Sequence, residues 1–244
     1  MTLPEKIAVI IPARNEEKTM ALLILDIRQK LPEALICIIV NNSTDNTYHE
    51  SKNALEKSGA KPENYRLITI DQAGKANAVK EGLRLAEADY YVLLDADGQH
   101  NARDIFMAIE HARVQNTDMM IGSRFLYRGY EYNAGGTRIK FNKTINRLVN
   151  RLFGVQLTDV LSGYRVLSNR FVSTLEIRSS NFELEMELLF HALKNKYRID
   201  EIPIEISERT DKKTAKLMLF TDGLKILIFT FVNYYRLKHA TAKK

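Results

Sequence analysis

Short runs of apolar residues alternate with longer stretches of helical spacing through the first half of the chain. The apolar runs, each suited to a buried strand, cover residues 7–11, 35–40, 66–70 and 90–94. Between them, apolar residues recur at the spacing of a helix face over 15–30, 47–58 and 74–88. Continuous apolar strands that alternate with helices are typical of a parallel sheet covered on both faces. The pattern therefore predicts an α/β fold with a mostly parallel central sheet flanked by helices.

The second half of the chain is less regular, and its pattern predicts fewer elements. Strands are expected over 117–123 and 199–206, and helices over 137–153 and 181–196. Pro203 lies inside the last predicted strand, and proline, which lacks a backbone N–H, suits the edge of a sheet. No repeat, linker or composition shift marks a boundary before residue 209. We therefore expect one domain over 1–208 and a tail over 209–244.

The tail is basic and contains an amphipathic segment, expected to be helical. From Arg209 onward nine Lys/Arg stand against two Asp, a net charge of +7, so with +6 for the whole chain residues 1–208 carry about −1. Only ten residues separate Lys225 from Arg236, well short of the roughly 20 that span a bilayer. Apolar and aromatic residues flanked by Lys and Arg are typical of a helix lying in a membrane interface. We expect the tail to meet an anionic membrane surface, with packing on the domain, self-association or solubilisation as alternatives.

The composition disfavours several classes of protein. The chain has one cysteine, Cys37, inside a predicted strand, so it forms no internal disulfide and fits a reducing compartment. The first apolar stretch, 7–11, is too short for a secretory signal peptide. The region 1–208 is near neutral and lacks a basic stripe with interleaved aromatic residues, which disfavours a nucleic-acid-binding protein.

Two carboxylates one residue apart, Asp95 and Asp97, follow the fourth predicted strand. Residues i and i+2 of an extended segment point to the same side, so these carboxylates are expected to converge just beyond the strand. Their charges repel each other, and Mg²⁺ or Mn²⁺ would relieve that repulsion while taking further ligands from water and substrate phosphates. A simple strand-to-loop turn, which Asp and Gly also favour, is the alternative.

Polar clusters follow the other predicted strands as well, at the ends where open α/β sheets bind ligands. They cover residues 12–17, 41–47 and 74–75. Each has a simpler structural explanation: acids at 16 and 17 suit a helix N-terminus, and Asp45 suits a turn or a cap. Gly74-Lys75 lacks the spacing of a Walker loop. Their common position at one edge of the sheet nevertheless predicts a ligand site there.

Several short motifs occur in a fixed order over roughly residues 6–217. They are Ile10-Ile11-Pro12-Ala13-Arg14-Asn15-Glu16-Glu17, Asn42-Ser43-Thr44-Asp45-Asn46-Thr47, Gly74-Lys75-Ala76-Asn77-Ala78, Asp95-Ala96-Asp97-Gly98-Gln99-His100, Gly122-Ser123-Arg124, Thr158-Asp159-Val160-Leu161-Ser162-Gly163-Tyr164-Arg165 and Phe182-Glu183-Leu184-Glu185. The ordered set resembles the family 2 inverting glycosyltransferases of GT-A fold, and within them the polyprenyl-phosphate (dolichyl-phosphate) mannosyl- and glucosyltransferases. The resemblance implies a Rossmann-like GT-A catalytic domain over 1–208, with a nucleotide-sugar-binding half over 1–100 and an acceptor-binding half over 101–208.

The resemblance also implies a nucleotide-diphosphate sugar donor and a divalent cation, Mg²⁺ or Mn²⁺. Asp95 and Asp97 would hold the cation, Asp97 most directly, and Gln99 would line the same site. The other residues that match donor-binding positions of the family are Pro12, Arg14 and Glu16 for the base and ribose, and Asp45 and Lys75 near the nucleotide. Asn41 stands where many members have an acidic residue that contacts the base, so the resemblance implies neither base nor sugar.

On the acceptor side, a lipid monophosphate is already ionised and needs cations to hold it. The forked donors of arginine suit a phosphate. Residues that resemble the basic positions of the polyprenyl-phosphate group are Arg124, Arg138, Arg165, Arg209 and Lys216. A sugar hydroxyl acceptor would instead need a general base, for which Asp159 is the best match and Glu183 and Glu185 are rivals. The resemblance thus implies catalytic roles for Asp97, Arg124 and Arg165, or for Asp159.

Together these features predict a metal-dependent inverting glycosyltransferase that moves a hexose from a nucleotide sugar to a polyprenyl phosphate. It would act as a peripheral protein on the cytoplasmic face of a membrane, with a separate membrane protein as a further expected partner. The alternative is a family 2 transferase that uses a sugar hydroxyl in cell-surface glycan synthesis. A binding protein that has lost activity is disfavoured, because the Asp95–Gln99 motif is intact.

Overall fold

The computed structural model describes residues 6–127, 136–181, 183–207 and 221–241. Its strands are β1 (Ile7–Ala13), β2 (Leu35–Asn41), β3 (Tyr65–Ile70), β4 (Tyr90–Leu93), β5 (Met119–Ser123), β6 (Arg165–Ser168) and β7 (Ile199–Pro203). Its helices are α1 (Met20–Lys30), α2 (Thr47–Lys57), α3 (Lys75–Leu85), α4 (Ala102–Gln115), α5 (Gly136–Phe153), α6 (Asn169–Val172), α7 (Leu184–Asn195) and α8 (Thr221–Thr241).

The strands form one seven-stranded sheet in the order β3-β2-β1-β4-β6-β5-β7. Every neighbouring pair is parallel except the two pairs made by β6, which runs antiparallel to β4 and to β5. The carboxyl ends of all the other strands therefore lie side by side at one end of the sheet, called its carboxyl edge below, and β6 begins there. The predicted mostly parallel sheet is confirmed, and the strand that contains Pro203 does lie at an edge of it.

The strands are apolar on both sides because helices cover both faces of the sheet. On one face, Val9 and Ile11 of β1 pack with residues of α1, α2 and α4. On the other face, Ile10 packs with residues of α3, α5, α7 and α8. All three β1 side chains are fully buried, and burying a side chain of this size stabilises the fold by about 1.5–3 kcal/mol. This two-sided burial explains the continuous apolar runs in the sequence.

The limits of several elements differ from those predicted. β1 does not stop at Pro12 but continues to Ala13, which pairs with Val40 of β2. α1 begins at Met20 rather than at residue 15, because Asn15 adopts a left-handed backbone conformation (φ 53°) that cannot continue a helix. The strands predicted over 117–123 and 199–206 are shorter, at Met119–Ser123 and Ile199–Pro203.

The sequence pattern did not predict α4 or β6. The buried side of α4 is formed mainly by alanine and isoleucine, at Ala102, Ile105, Ala108, Ile109 and Ala112, and alanine marks an apolar face only weakly. β6 has only four residues and begins with a charged one, Arg165. β6 is defined by its neighbours in the fold, since it lies between β4 and β5 and pairs with both.

The amphipathic segment of the tail forms the helix α8. Its inner side packs on the domain, where Ile226 is buried and the ring of Phe229 lies 5.9 Å from that of Phe190 in α7. Its outer side exposes apolar residues, namely Leu224, Ile228, Phe231, Val232 and Tyr235. In the part of the chain that the structure describes, no helix is both long enough and apolar enough to span a membrane.

Candidate active site

The loops that follow β1 and β2 are tied together at the carboxyl edge of the sheet. The side-chain oxygen of Asn15 accepts a hydrogen bond from the backbone N–H of Thr44 at 2.8 Å, and the backbone N–H of Asn15 donates to Ser43 Oγ at 3.0 Å. The left-handed conformation of Asn15 turns the chain toward this neighbour. A third loop joins them, because Thr19 Oγ1 donates to the carbonyl of Ala96 at 2.6 Å.

Asp45 supports this arrangement with its own hydrogen bonds. Its carboxylate accepts from the backbone N–H and the hydroxyl of Thr47, at 3.1 and 2.5 Å, and from the backbone N–H of Glu17 at 3.3 Å. Burial alone would raise the pKa of Asp45, but these hydrogen bonds outweigh it and lower the pKa. Asp45 thus connects the start of α2 to the loop after β1, and its predicted contact with a nucleotide stays a prediction.

Lys75, Asp95 and Glu185 form an ionic cluster at the same edge. Lys75 Nζ lies 2.6 Å from Asp95 Oδ1 and 2.7 Å from Glu185 Oε1. Burial alone would lower the pKa of Lys75, but the two carboxylates outweigh it and raise the pKa. Burial likewise opposes ionisation of Asp95, yet the charge of Lys75 lowers the pKa of that carboxyl. Lys75 is therefore a cation, and Asp95 an anion, around neutral pH.

Three different elements bring this cluster together. Lys75 is the first residue of α3, Asp95 follows β4, and Glu185 lies in the first turn of α7. Gly74 allows the segment before α7 to come close to the start of α3. Its φ is 120°, and a Cβ there would collide with the backbone carbonyl of Ser180. Glycine is the residue that tolerates this conformation and this close contact.

The segment 160–163 closes over the cluster and is held by Arg165. A Cβ on Gly163 would lie 2.5 Å from Asp95 Oδ2 and 2.7 Å from Lys75 Nζ. The Arg165 guanidinium is fully buried and donates to the carbonyls of Val160 and Ser162 at 2.7 and 3.2 Å. Burial lowers the pKa of Arg165 to about 10. In this position Arg165 supports the segment that faces the cluster, and its predicted contact with a phosphate stays a prediction.

The second carboxylate of the pair, Asp97, lies in a turn. β4 ends at Leu93, so both carboxylates lie beyond the strand, and Asp97 lies in a turn rather than in an extended segment. Both carboxylates nevertheless lie near the ring of His100: burial lowers the pKa of this histidine, and their charges act to raise it. The backbone N–H of Gln99 donates to Asp97 Oδ1 at 3.2 Å, and its side-chain Nε2 donates to the carbonyl of Ser207 at 3.3 Å. The predicted place of Gln99 in the cation site stays a prediction.

The donor atoms of this pair fit a divalent cation that shares its shell with a substrate. Within the described ranges, no three His, Cys, Asp or Glu side chains are grouped as a metal site. Mg²⁺ does not require such a group, because it commonly takes one or two carboxylates and fills its shell with waters and substrate phosphates. Asp95 and Asp97, with the amide of Gln99 nearby, supply oxygen ligands of this kind.

At the same edge, directly after β5, Arg124 forms a two-pronged ion pair with Asp159. Arg124 Nε donates to Asp159 Oδ2 at 2.6 Å, and its second nitrogen donates to Oδ1 at 2.8 Å. The backbone N–H of Arg124 also donates to Oδ2, at 3.0 Å. Asp159 is fully buried, and its backbone N–H donates to Glu201 Oε1 at 3.0 Å. Both carboxylate oxygens of Asp159 are therefore occupied by Arg124.

The remaining predicted residues fall into three groups. Pro12 lines a narrow pocket beside Lys75 and Asp95. Asn41, at the end of β2, is 3% exposed, and its Nδ2 donates to the carbonyl of Gly74 at 2.5 Å, whereas its buried Oδ1 has no hydrogen-bond partner among the described residues. Arg14 is exposed and Glu16 is half-buried in the loop after β1. The side chain of Arg138, in α5, and the residues Arg209 and Lys216 lie outside the described part.

Sequence reasoning underrated Glu185 and missed Gly163 and Glu201. Glu185 was weighed only as a rival general base, whereas it binds Lys75, a residue 110 positions away. Glu201 accepts from the hydroxyl of Thr158 at 2.9 Å and helps to hold the segment that carries Asp159. Glu185 and Gly163 belong to the ordered motifs, whereas Glu201 does not. The sequence gives no sign of which residue any of the three contacts.

Comparisons with known proteins identify the family of the chain. The chain matches the family described as Glycosyl transferase family 2 over residues 8–175. It is 31% identical over 213 residues to the UDP-N-acetylglucosamine–dolichyl-phosphate N-acetylglucosaminyltransferase of Methanococcus voltae, covering 82% of this chain and 84% of that protein. It is 26% identical over 212 residues to the polyprenol monophosphomannose synthase of Mycolicibacterium smegmatis, covering 84% and 78%.

Solved structures agree on the fold. The crystal structure of glucosyl-3-phosphoglycerate synthase from Mycobacterium tuberculosis in complex with Mn²⁺, uridine-diphosphate and phosphoglyceric acid superposes with a TM-score of 0.70 at 17% identity. The match covers 95% of this chain and 79% of that chain. The GT-A fold predicted from the motifs is thereby confirmed. Because the family match extends over residues 8–175, which include six of the seven strands, the chain belongs to glycosyl transferase family 2 and is a glycosyltransferase.

Proposed function

We propose that this glycosyltransferase moves a hexose, with inversion, from a nucleotide-diphosphate sugar to a polyprenyl phosphate at the cytoplasmic face of a membrane. The observation that carries the proposal is the pair of ionic clusters at one edge of the sheet. One cluster, around Lys75 and Asp95, belongs to the donor side. The other, Arg124 with Asp159, belongs to the acceptor side.

The donor side has the residue types that a nucleoside diphosphate requires. Asp95 and Asp97 would hold Mg²⁺ or Mn²⁺, which would neutralise the charge that develops on the departing diphosphate. Lys75 brings a positive charge to the same place, and the buried Oδ1 of Asn41 is left to accept a hydrogen bond from a base. From the resemblance, Pro12, Arg14, Glu16 and Asp45 are proposed to surround the nucleotide. Support also comes from the relatives, whose names include a UDP-sugar enzyme.

The acceptor side favours an ionised acceptor over a hydroxyl. Asp159 is fully buried, and Arg124 donates two hydrogen bonds to its Oδ2 and one to its Oδ1, which fill most of the roughly four acceptor positions of a carboxylate and disfavour this group as a general base. The pair instead fixes an arginine beside the donor site, and arginine binds phosphate oxygens through two parallel donors. Arg138, Arg209 and Lys216 are proposed to add positive charge around the same phosphate.

The chemistry then needs orientation and charge more than proton transfer. A phosphate oxygen of the acceptor attacks C1 of the sugar from the side opposite the diphosphate. The new C1–O bond forms as the old one breaks, and its electron pair leaves with the nucleoside diphosphate. Because the acceptor oxygen carries no proton, no general base takes part, and Arg124 acts by holding and orienting the phosphate.

Membrane attachment is the third part of the proposal. The outer side of α8 presents Leu224, Ile228, Phe231 and Tyr235 to solvent, and basic residues flank it in sequence. A helix of this kind inserts its apolar side among lipid headgroups while its cations meet anionic lipids. The lone, buried Cys37 fits a reducing compartment, which supports the cytoplasmic side. A separate membrane protein is a further proposed partner.

The test is an assay of nucleoside diphosphate release from a panel of UDP- and GDP-hexoses with Mg²⁺ or Mn²⁺, with and without a short polyprenyl phosphate. Release should require the lipid phosphate and one class of donor. Asp97→Asn should lower the rate by at least about a hundredfold, since it removes a charged ligand of the cation. Asp89→Asn is the matched control, because Asp89 is exposed at the opposite end of β4 and accepts from the backbone N–H of Lys6.

The same assay separates the second candidate, a transferase that uses a sugar hydroxyl. This candidate is favoured by the presence of Asp159, a buried carboxylate at the same edge of the sheet that would serve as the general base. Donor turnover that ignores the lipid phosphate and requires a saccharide would contradict our proposal. In that case Asp159→Asn should abolish transfer to the saccharide, because it removes the group that takes the proton of the hydroxyl.

A further inference from the structure

Lys75 is held between two carboxylates, and only one of them belongs to the proposed cation site. Asp95 lies 2.6 Å from Lys75 Nζ, and Glu185 lies 2.7 Å from it. Glu185 comes from α7, is 6% exposed, and has no place in the donor contacts described above. Burying a carboxylate costs free energy unless the charge has a partner. The place of Glu185 beside Lys75 therefore needs an explanation.

The Lys75 ammonium contacts a carboxylate that would also bind the divalent cation. A cation bound by Asp95 and Asp97 would meet a positive charge that is already in contact with Asp95 Oδ1. Like charges at such distances repel strongly in a partly buried site, where the effective dielectric constant is about 20. Both cations cannot keep full contact with the same carboxylate at low cost.

We propose that Lys75 and the divalent cation compete for Asp95, and that Glu185 is a positioning residue that retains Lys75 when the cation binds. This inference rests on the cation site of the proposed function. Before the cation arrives, Lys75 compensates Asp95 and keeps the carboxylate from standing unpaired. When the cation takes Asp95, the flexible stem of Lys75 lets its ammonium remain on Glu185, close to the diphosphate but off the carboxylate.

Gly163 fits this exchange because it has no side chain to occupy the space that the pair needs. A Cβ at this position would lie 2.5 Å from Asp95 Oδ2 and 2.7 Å from Lys75 Nζ. The glycine therefore allows the carboxylate and the ammonium to adjust against bare backbone. Glu185 is placed on the rigid first turn of a 12-residue helix, so it offers Lys75 a fixed partner on one side of the cluster.

The experiment measures Mn²⁺ binding to the whole chain without any substrate, from the electron paramagnetic resonance signal of free Mn²⁺. Lys75→Met removes the competing charge while keeping the length of the side chain. Glu185→Gln keeps the shape of the second partner but removes its charge, which leaves Lys75 bound to Asp95 alone. Glu187→Gln, on the same helix, is the matched control, because the carboxylate of Glu187 accepts from the backbone N–H groups of Arg178 and Ser179.

The two variants should shift the Kd for Mn²⁺ in opposite directions. Lys75→Met should lower the Kd by about tenfold or more, and Glu185→Gln should raise it by a similar factor, since each removes one unit charge close to the site. Glu187→Gln should leave the Kd within about twofold. A residue that only supports the fold would not produce opposite shifts, and circular dichroism at the assay temperature shows that each variant is folded.

An unchanged or raised Kd in Lys75→Met, or an unchanged Kd in Glu185→Gln, would overturn the inference. The outcome is separate from that of the proposed function. If the wild-type chain binds Mn²⁺ through Asp97 but the two variants do not diverge, only the competition fails. If neither the wild type nor Lys75→Met binds Mn²⁺, the cation site itself fails and the inference falls with it. Lipid-dependent transfer is tested without reference to either result.

Discussion

Gly163 has no side chain, and the ionic cluster of Lys75 and Asp95 occupies the space that a Cβ would need. The distances from that Cβ to the two charged atoms would be 2.5 and 2.7 Å, well inside van der Waals contact. The backbone of Gly163 does not have a positive φ, so alanine is acceptable to the backbone. Only the cluster forbids it, which makes this position a sensitive probe of the site.

Gly163→Ala should therefore impair catalysis more than it impairs folding. The added methyl group must displace the ends of Asp95 and Lys75, so we expect kcat/KM for the donor to fall by at least about tenfold. The loss in free energy of unfolding should stay near 1–3 kcal/mol, as for other overpacked sites. Gly136→Ala is the control, because nothing lies within 4 Å of its Cβ position. Wild-type kinetics in Gly163→Ala would show that the cluster does not have to keep this geometry.

At the residue scale, sequence motifs identified the charged groups but not their partners. Asp95, Lys75, Arg124 and Asp159 were all predicted, and all lie at the carboxyl edge of the sheet. The pairing of Lys75 with Glu185 spans 110 positions and follows from how α3 and α7 pack. Arg165 illustrates the other limit: its residue type suits a phosphate, but only the fold shows that its guanidinium is fully buried and bound to backbone carbonyls.

At the element scale, α8 has two different apolar sides. The inner side is buried against the domain through Ile226, and Gly223 lies against Phe141, with the ring 2.9 Å from its Cβ position. The outer side leaves Ile228 56% and Phe231 43% exposed. The packing and membrane alternatives drawn from the sequence are thus compatible, because the helix packs on the domain and still offers an apolar surface.

Replacing the outer residues Ile228 and Phe231 together by serine should weaken binding to vesicles by at least about tenfold. Each side chain would otherwise bury area worth about 1.5–3 kcal/mol in the membrane interface. Co-sedimentation with vesicles containing anionic lipid measures the effect, and the thermal unfolding curve should change little. Leu22→Ser with Val114→Ser is the matched control, since these two exposed apolar residues lie on α1 and α4. Equal vesicle binding by both double variants would contradict an interfacial role for α8.

Elements with a strong apolar period were predicted correctly, and elements defined by their neighbours were not. β1, β2 and β4 are visible in the sequence because both faces of each are covered by helices. β3, at the edge of the sheet, is only partly buried but still shows an apolar run. β6 was missed because four residues beginning with Arg165 show no period, and its antiparallel direction depends on the strands beside it. The start of α1 was misplaced because the loop 14–19 is fixed by contacts with the loop after β2, such as the bond from Thr44 to Asn15.

At the scale of the whole molecule, the positive charge is concentrated at one end of the chain. Residues 209–244 carry +7 and residues 1–208 about −1, from a total of +6. A near-neutral region such as residues 1–208 gains little from a charged surface, whereas a basic tail gains about 1 kcal/mol for each Lys or Arg held near anionic lipid. This asymmetry predicts that the membrane, rather than the donor, makes the activity sensitive to salt.

Activity on a vesicle-embedded polyprenyl phosphate should therefore depend on both lipid charge and ionic strength. At about 50 mM salt, kcat/KM should be at least about tenfold higher on anionic than on zwitterionic vesicles, because several basic residues act together. At about 500 mM salt the Debye length shrinks below roughly 5 Å, and the ratio should approach one. The ratio cancels the salt dependence of donor and acceptor-phosphate binding, which is common to both vesicles. A ratio near one already at low salt would mean that the tail serves another purpose, and the apolar side of α8 would then have to provide the attachment alone.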